Sequence, residues 1–180
     1  RSLVGTHVSA TVSEILPKCK DYVDFIARHE YDYTLPEIAK ALEGKMKIED
    51  VLGISYCEND ELKENATRPY IQNLDELPFV SMVYKKYLNY KDYFYAHVNY
   101  PTISIFSSRG CPSKCFYCMY SQVMFGKAYR KRSAKNLYDE IVYITQNFPD
   151  VNEILIDDDN FAVDQKKIEI GRAVQQECRD

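Results

Sequence analysis

The sequence predicts an α/β protein in two parts, on three observations. Short apolar and β-branched runs, Val23-Asp24-Phe25-Ile26, Thr102-Ile103-Ser104-Ile105-Phe106 and Glu153-Ile154-Leu155-Ile156, alternate with stretches of helical period. A proline-punctuated stretch, from Arg68-Pro69-Tyr70-Ile71 to Leu74-Asp75-Glu76-Leu77-Pro78, separates two halves of different character. A tight group of cysteines follows directly on one of the apolar runs.

The elements follow in order. Val23 to Ile26 reads as a short strand. Thr34-x-x-Glu37 is a capping-box signature opening a helix through Leu42, with Leu35, Ile38, Ala39 and Leu42 as its buried face and Gly44 as its stop. Val51 to Tyr56 and Glu61 to Glu64 read as two strands around an Asn59-Asp60 turn. Val80, Val83, Tyr84, Tyr87 and Leu88 suit a short amphipathic helix, and the tyrosine-dense section up to Tyr100 suits packing between domains. Thr102 to Phe106 is the next strand. Ser133 caps a helix running to about Phe148, with Leu137, Ile141, Ile144 and Phe148 as one apolar stripe and Pro149-Asp150 as its end. Glu153 to Ile156 reads as a buried parallel strand. Asp164 caps a further helix with Ile168 on its apolar side. Residues 102 to 178 thus read strand, helix, strand, helix, a βαβ unit with a right-handed crossover.

Cys111, Cys115 and Cys118, in Cys-Pro-Ser-Lys-Cys-Phe-Tyr-Cys, have a C-x3-C-x2-C spacing. Three thiolates on one short loop can reach three corners of a 4Fe–4S cubane and leave one iron open to a ligand. A structural zinc ion is the competing reading; it wants a fourth ligand, which His97 could supply. The loop lies at the C-terminal end of its strand, the face that carries the chemistry in parallel α/β barrels. The following strand runs into Asp157-Asp158-Asp159-Asn160-Phe161 toward the same face. A carboxylate there suits an ammonium ligand; the plain alternative is a solvated acidic turn. Lys127, Arg130, Lys131 and Arg132 precede the Ser133 cap, where cations oppose the helix dipole. Arg130 is therefore a candidate for facing an anion, against the plain reading of a solvated basic loop.

C-x3-C-x-aromatic-C after a strand resembles the radical S-adenosylmethionine enzymes. The stretch from Phe79 to Phe161, with Ser107-Ser108-Arg109-Gly110-Cys111-Pro112 and Tyr129-Arg130-Lys131-Arg132-Ser133, resembles the branch that carries an N-terminal cobalamin-binding domain. The resemblance implies that Cys111, Cys115 and Cys118 hold a 4Fe–4S cluster whose open iron binds S-adenosylmethionine. Reductive cleavage of that cofactor then yields a 5′-deoxyadenosyl radical. It implies Tyr117 beside the adenine and Asp158 and Asp159 at the amino group of the cofactor; Arg130 is then a candidate for facing the cofactor carboxylate or a substrate anion. Leu3 to Ala10 resembles the late part of a flavodoxin-like cobalamin-binding domain, in which Gly5 lies near the nucleotide tail. The family's cobalt-ligand motif, Asp-x-His-x-x-Gly, is missing from this sequence, so His7 reads as a core or turn histidine.

The expected architecture is a partial cobalamin-binding-like domain over 1–66, a linker over 67–100, and the first βα units of a TIM-type radical S-adenosylmethionine barrel over 101–180. The chain then reads as a fragment truncated at both ends. The expected chemistry is methyl transfer or ring formation on a small molecule, with an electron donor such as flavodoxin or ferredoxin. A non-catalytic zinc or electron-transfer module, or an inactive fragment, is the alternative. With 23 basic and 27 acidic residues and net charge −4, no extended basic face points to nucleic acid. No apolar run reaches membrane-spanning length and no signal peptide is visible. Thiols beside an oxygen-sensitive cluster suit a reducing cytoplasm.

Overall fold

A computed structural model describes residues 1–164. The helix expected from Asp164 through Ile168 falls outside the described residues, apart from Asp164 itself. Two compact units emerge, and neither is a single stretch of chain: Arg1–Ile71 with Cys111–Ala128, and Gln72–Gly110 with the described residues from Tyr129 to Asp164.

The first unit is built on a four-stranded sheet in the order β1 (Ser2–Leu3), β2 (Phe25–Ala27), β3 (Ile54–Glu58), β4 (Glu61–Glu64). β1 and β2 are parallel; the other pairs are antiparallel. The hairpin β3–β4 turns on Asn59 and Asp60, at φ 49° and 66°. Two successive left-handed residues make the tight turn whose twist matches its strands, and Asn and Asp tolerate it best. Side chains alternate across β2 with the period of two that strands impose. Ile26 packs with Val12 and Leu16 of α2 (Val12–Cys19), and with Val8 of α1 (Thr6–Ala10). Ala27 faces the other way, onto Ile54, Tyr56 and Ile38 of α3 (Thr34–Leu42). Helices therefore cover both faces of the sheet.

Helix α3 is found where expected, but not on the expected terms. Thr34 is fully buried; its hydroxyl donates to Leu52 O at 3.2 Å and accepts from Arg68 Nε at 2.9 Å. Glu37 pairs with Arg68. No capping box forms, because both of its members are committed to the 52–68 segment. Backbone amides of the first turn are met instead by Tyr31 O and Tyr33 O. The buried face is Thr34 and Ile38 with Ala41 half-buried; Leu35, Ala39 and Leu42 are exposed.

In the second unit, β5 (Thr102–Ile105) and β8 (Glu153–Ile156) pair in parallel, and α5 (Ala134–Asn147) connects them. This is the expected βαβ unit. The Ser133 hydroxyl accepts the Asn136 N–H at 3.1 Å, capping α5. Leu137, Ile144 and Phe148 are buried with Ile103 and Ile105, and Ile141 and Ile154 pack against them. β8 is half-buried rather than buried. Among the described residues its sheet has two strands only, so one side of β8 lacks a neighbour. Helix α4 (Val80–Tyr87) also forms, with a different inner face: Ser81 is buried, Tyr84 packs into the core, and Val83, Tyr87 and Leu88 are exposed. Ser81 is drawn inward by Glu140, which accepts its N–H at 3.0 Å and its hydroxyl at 2.9 Å.

Candidate cluster and cofactor site

The cysteine loop leaves the second unit after β6 (Ser108–Arg109) and returns at β7 (Arg130–Lys131). These two strands pair antiparallel, so the base of the excursion is closed by a short ladder.

In the first unit, the loop itself carries little secondary structure. Cys115 is exposed, Cys111 and Cys118 are half-buried, and none is in a disulfide. Cys111 N–H donates to Gly126 O at 3.3 Å and Cys118 N–H to Cys115 O at 3.2 Å. Gln122 Nε2 donates to the carbonyls of Cys115, Phe116 and Cys118 at 2.8 to 3.3 Å, tying the turn from its open side. Phe116 and Tyr117 stand edge to face at 5.5 Å, 92% and 78% exposed. The Cys115 thiol beside it pushes the Tyr117 hydroxyl pKa upward. Among the described residues, no three His, Cys, Asp or Glu side chains stand as a ready metal-ligand group. The donor chemistry still suits a cluster: three thiols, unbonded to each other, on eight residues. Such sites are commonly gathered by the metal they bind, since like charges at bonding distance repel without it.

The loop is anchored by residues that the sequence did not single out. Tyr120–Met124 form a π-turn, closed by Phe125 N–H donating to Tyr120 O at 3.0 Å, and α1 packs against it. His29 donates from Nδ1 to Val123 O, and its own N–H donates to Ser9 Oγ at 3.1 Å. Its φ of 60° aims the ring. Gly126, at φ 73°, lies so close to Tyr70 that a Cβ there would sit 2.7 Å from the ring. One readable signal existed: Gln122 falls four residues beyond Cys118, one helical turn away. A left-handed histidine has no sequence signature.

Gly5 stands at φ 115° before α1, and its carbonyl accepts from Ser9 N and Ser9 Oγ at 3.1 and 2.8 Å. A Cβ there would meet nothing within 4 Å, so the space beside it is open. His7 is an exposed residue of α1 rather than a core or turn residue. In the second unit, His97 stands edge-on to Tyr95 at 6.1 Å.

The second unit also holds the acidic turn; Asp157 is exposed, but Asp158 and Asp159 are half-buried and hydrogen-bonded. Asp158 Oδ1 accepts the N–H groups of Ser107 and Ser108 at 2.7 and 2.9 Å. Its Oδ2 accepts their hydroxyls at 2.5 and 2.8 Å. Both serines are buried. Asp159 Oδ2 accepts Gly110 N–H at 2.8 Å. Burial raises the Asp159 pKa, and the Gly110 bond and the Arg130 charge oppose that rise. The basic stretch is divided: Arg130 and Arg132 are buried, while Lys127 and Lys131 are exposed. Arg132 donates to Phe106 O at 2.8 Å and pairs with Glu140, side chains 3% and 0% exposed. Lys131 pairs with Asp164.

No protein-family profile matches the chain. It is 31% identical over 177 residues to an uncharacterised methyltransferase of Pyrococcus horikoshii, covering 98% of this chain and 37% of that protein. It is 28% identical over 171 residues to an anaerobic magnesium-protoporphyrin IX monomethyl ester cyclase of Cereibacter sphaeroides, covering 93% of this chain and 26% of the relative. Its fold matches the cobalamin-dependent S-adenosylmethionine radical enzyme OxsB, solved with aqua-cobalamin and S-adenosylmethionine bound. That match has a TM-score of 0.68 and 21% identity, over 89% of this chain and 21% of OxsB. The chain thus spans well under half the length of the curated relatives it matches. In sequence it is similar to a curated methyltransferase and a cyclase, and in fold to a cobalamin-dependent S-adenosylmethionine radical enzyme.

Proposed function

We propose that the chain carries the cluster-binding and cofactor-binding part of a radical S-adenosylmethionine enzyme of the cobalamin-linked branch. Its reaction would be methyl transfer or ring formation on a small molecule. The observation that carries this reading is the C-x3-C-x2-C loop, set directly after a parallel β5–β8 pair.

Cys111, Cys115 and Cys118 would hold three irons of a 4Fe–4S cluster. When bound, that cluster supplies one electron for reductive cleavage of S-adenosylmethionine, drawn from a donor such as flavodoxin or ferredoxin. Tyr117 offers an exposed ring to the adenine. The acidic pair Asp158–Asp159 stands at the amino end of the cofactor, where a carboxylate oxygen left open accepts from the ammonium, and Arg130 meets its carboxylate, by charge-assisted hydrogen bonds. Gly5 keeps open backbone where a cobalamin tail would approach. The oxygen sensitivity of such a cluster suits a reducing compartment such as the cytoplasm.

Anaerobic reconstitution with iron and sulfide tests the reading. A brown protein with about four irons per chain is expected, dropping below about one when all three cysteines become serine. One tightly held zinc and no colour would overturn it in favour of a structural metal module. No helix among the described residues is long and apolar enough to cross a membrane.

A further inference from the structure

We propose that the two acids of the strand end divide the work. Asp158 is a positioning residue acting through Ser107 and Ser108, and Asp159 alone meets the cofactor ammonium. This rests on the reading of the cysteine loop as a cluster site.

The argument is one of capacity. An ionised carboxylate offers about four lone-pair directions. Asp158 fills four of them with two amides and two hydroxyls, all between 2.5 and 2.9 Å. An ammonium would have to displace one of these donors and leave it unsatisfied beside serines that are 1% and 3% exposed. Asp159 differs. Its Oδ2 takes one amide, from Gly110, and its Oδ1 accepts no hydrogen bond among the described residues. Gly110 precedes Cys111 in the chain and sits at φ 85°. Asp158 thus fixes two consecutive peptide planes at the end of β5. Asp159 fixes a third, and the next residue is the first thiol. The backbone of Ser107, Ser108 and Gly110, just ahead of the loop, is thus tied to the end of β8, about 50 residues away in sequence.

Substitution separates the two roles, because an amide can replace one acid but not the other. In Asp158→Asn, Oδ1 keeps both amide bonds, and the Nδ2 hydrogens reach the two serine oxygens, which turn from donors to acceptors. The clamp survives and the charge goes. In Asp158→Ala the clamp is lost. Ser107→Ala with Ser108→Ala serves as a second, milder variant should Asp158→Ala fold poorly.

Two measurements decide the matter. Amide hydrogen exchange of the metal-free chain reads the clamp. Ser107 to Gly110 should exchange at least ~10-fold faster in Asp158→Ala or the double serine variant, and at the parent rate in Asp158→Asn. Equilibrium binding of S-adenosylmethionine to the reconstituted chain reads the ligand role. Asp158→Asn should stay within about threefold of the parent, while Asp159→Asn should lose at least ~10-fold. Unchanged exchange in the clamp-breaking variants overturns the proposal. So does an Asp158→Asn that loses the cofactor as severely as Asp159→Asn. A parent chain that takes up iron and sulfide but binds no S-adenosylmethionine also overturns it. A parent chain that takes up no cluster at all sinks the functional reading itself, a different and separately visible result.

Discussion

Residues 107–110 and 111–118 are consecutive in the chain and opposite in construction. The first stretch is held by carboxylates: each peptide N–H of Ser107, Ser108 and Gly110 ends on Asp158 or Asp159. In the second, a glutamine side chain ties three carbonyls and two long backbone bonds close the turn, with Phe116 almost wholly exposed. On the proposed reading, the chain is fixed up to the point where it presents its thiols, and beyond that point a bound metal would supply the cohesion.

The rigid side should break most severely at Glu140. Its carboxylate is fully buried between Arg132 and Ser81, and Arg132 in turn holds Phe106 O at the end of β5. Removing one member of such a pair leaves a buried charge. Glu140→Ala should therefore cost about 3–5 kcal/mol in urea unfolding. Replacing both partners, Arg132→Met with Glu140→Leu, should recover much of that loss. A cost below ~1 kcal/mol for the single variant would show that the strand end does not depend on this network.

The loop side should break at Gly126. An alanine there must adopt a positive φ and meet the Tyr70 ring. Gly126→Ala should cost about 1–3 kcal/mol, and Tyr70→Ala in the same chain should relieve the contact but not the backbone strain. Unfolding midpoints of the single and double variants check this. Next in size is the cap of α5: Ser133→Ala should cost about 1 kcal/mol, and Ser133→Asp should restore it.

The smallest expected effect concerns pH. Because burial raises the Asp159 pKa, the folded chain binds more protons than the unfolded one between the usual carboxylate range and that raised value. Stability from this group is fullest at the acid end of the window, falls as pH rises through it, and is level above. Asp159→Asn should remove that slope. Urea midpoints of parent and variant between pH ~3.5 and ~7 should therefore converge toward the acid end, and parallel curves would refute the shift.

The difference between the two regions also explains what was legible in the sequence. The Ser133 cap, the Leu137–Phe148 stripe and the runs at 102–106 and 153–156 were readable because periodicity and capping are local. The β3–β4 hairpin was readable because Asn-Asp names its own turn. The capping box at Thr34 and Glu37 misled, because Arg68 sits 31 residues from Glu37 and takes both side chains. The acidic run is visible in the sequence, but the four hydrogen bonds that converge on Asp158 are not. Those depend on Ser107 and Ser108 meeting Asp158 across two strands, a contact only a tertiary structure can show. The same holds for His29 on Val123, 94 residues apart.

The π-turn at Tyr120–Met124 has a consequence for chain length. Its wide ring absorbs one residue more than an α-helical turn would. A chain one residue shorter there would close to ordinary pitch and swing everything before it by about 100°. The sulfurs are thus aimed partly by counting. A deletion that leaves every thiol and its spacing intact could still point the trio the wrong way.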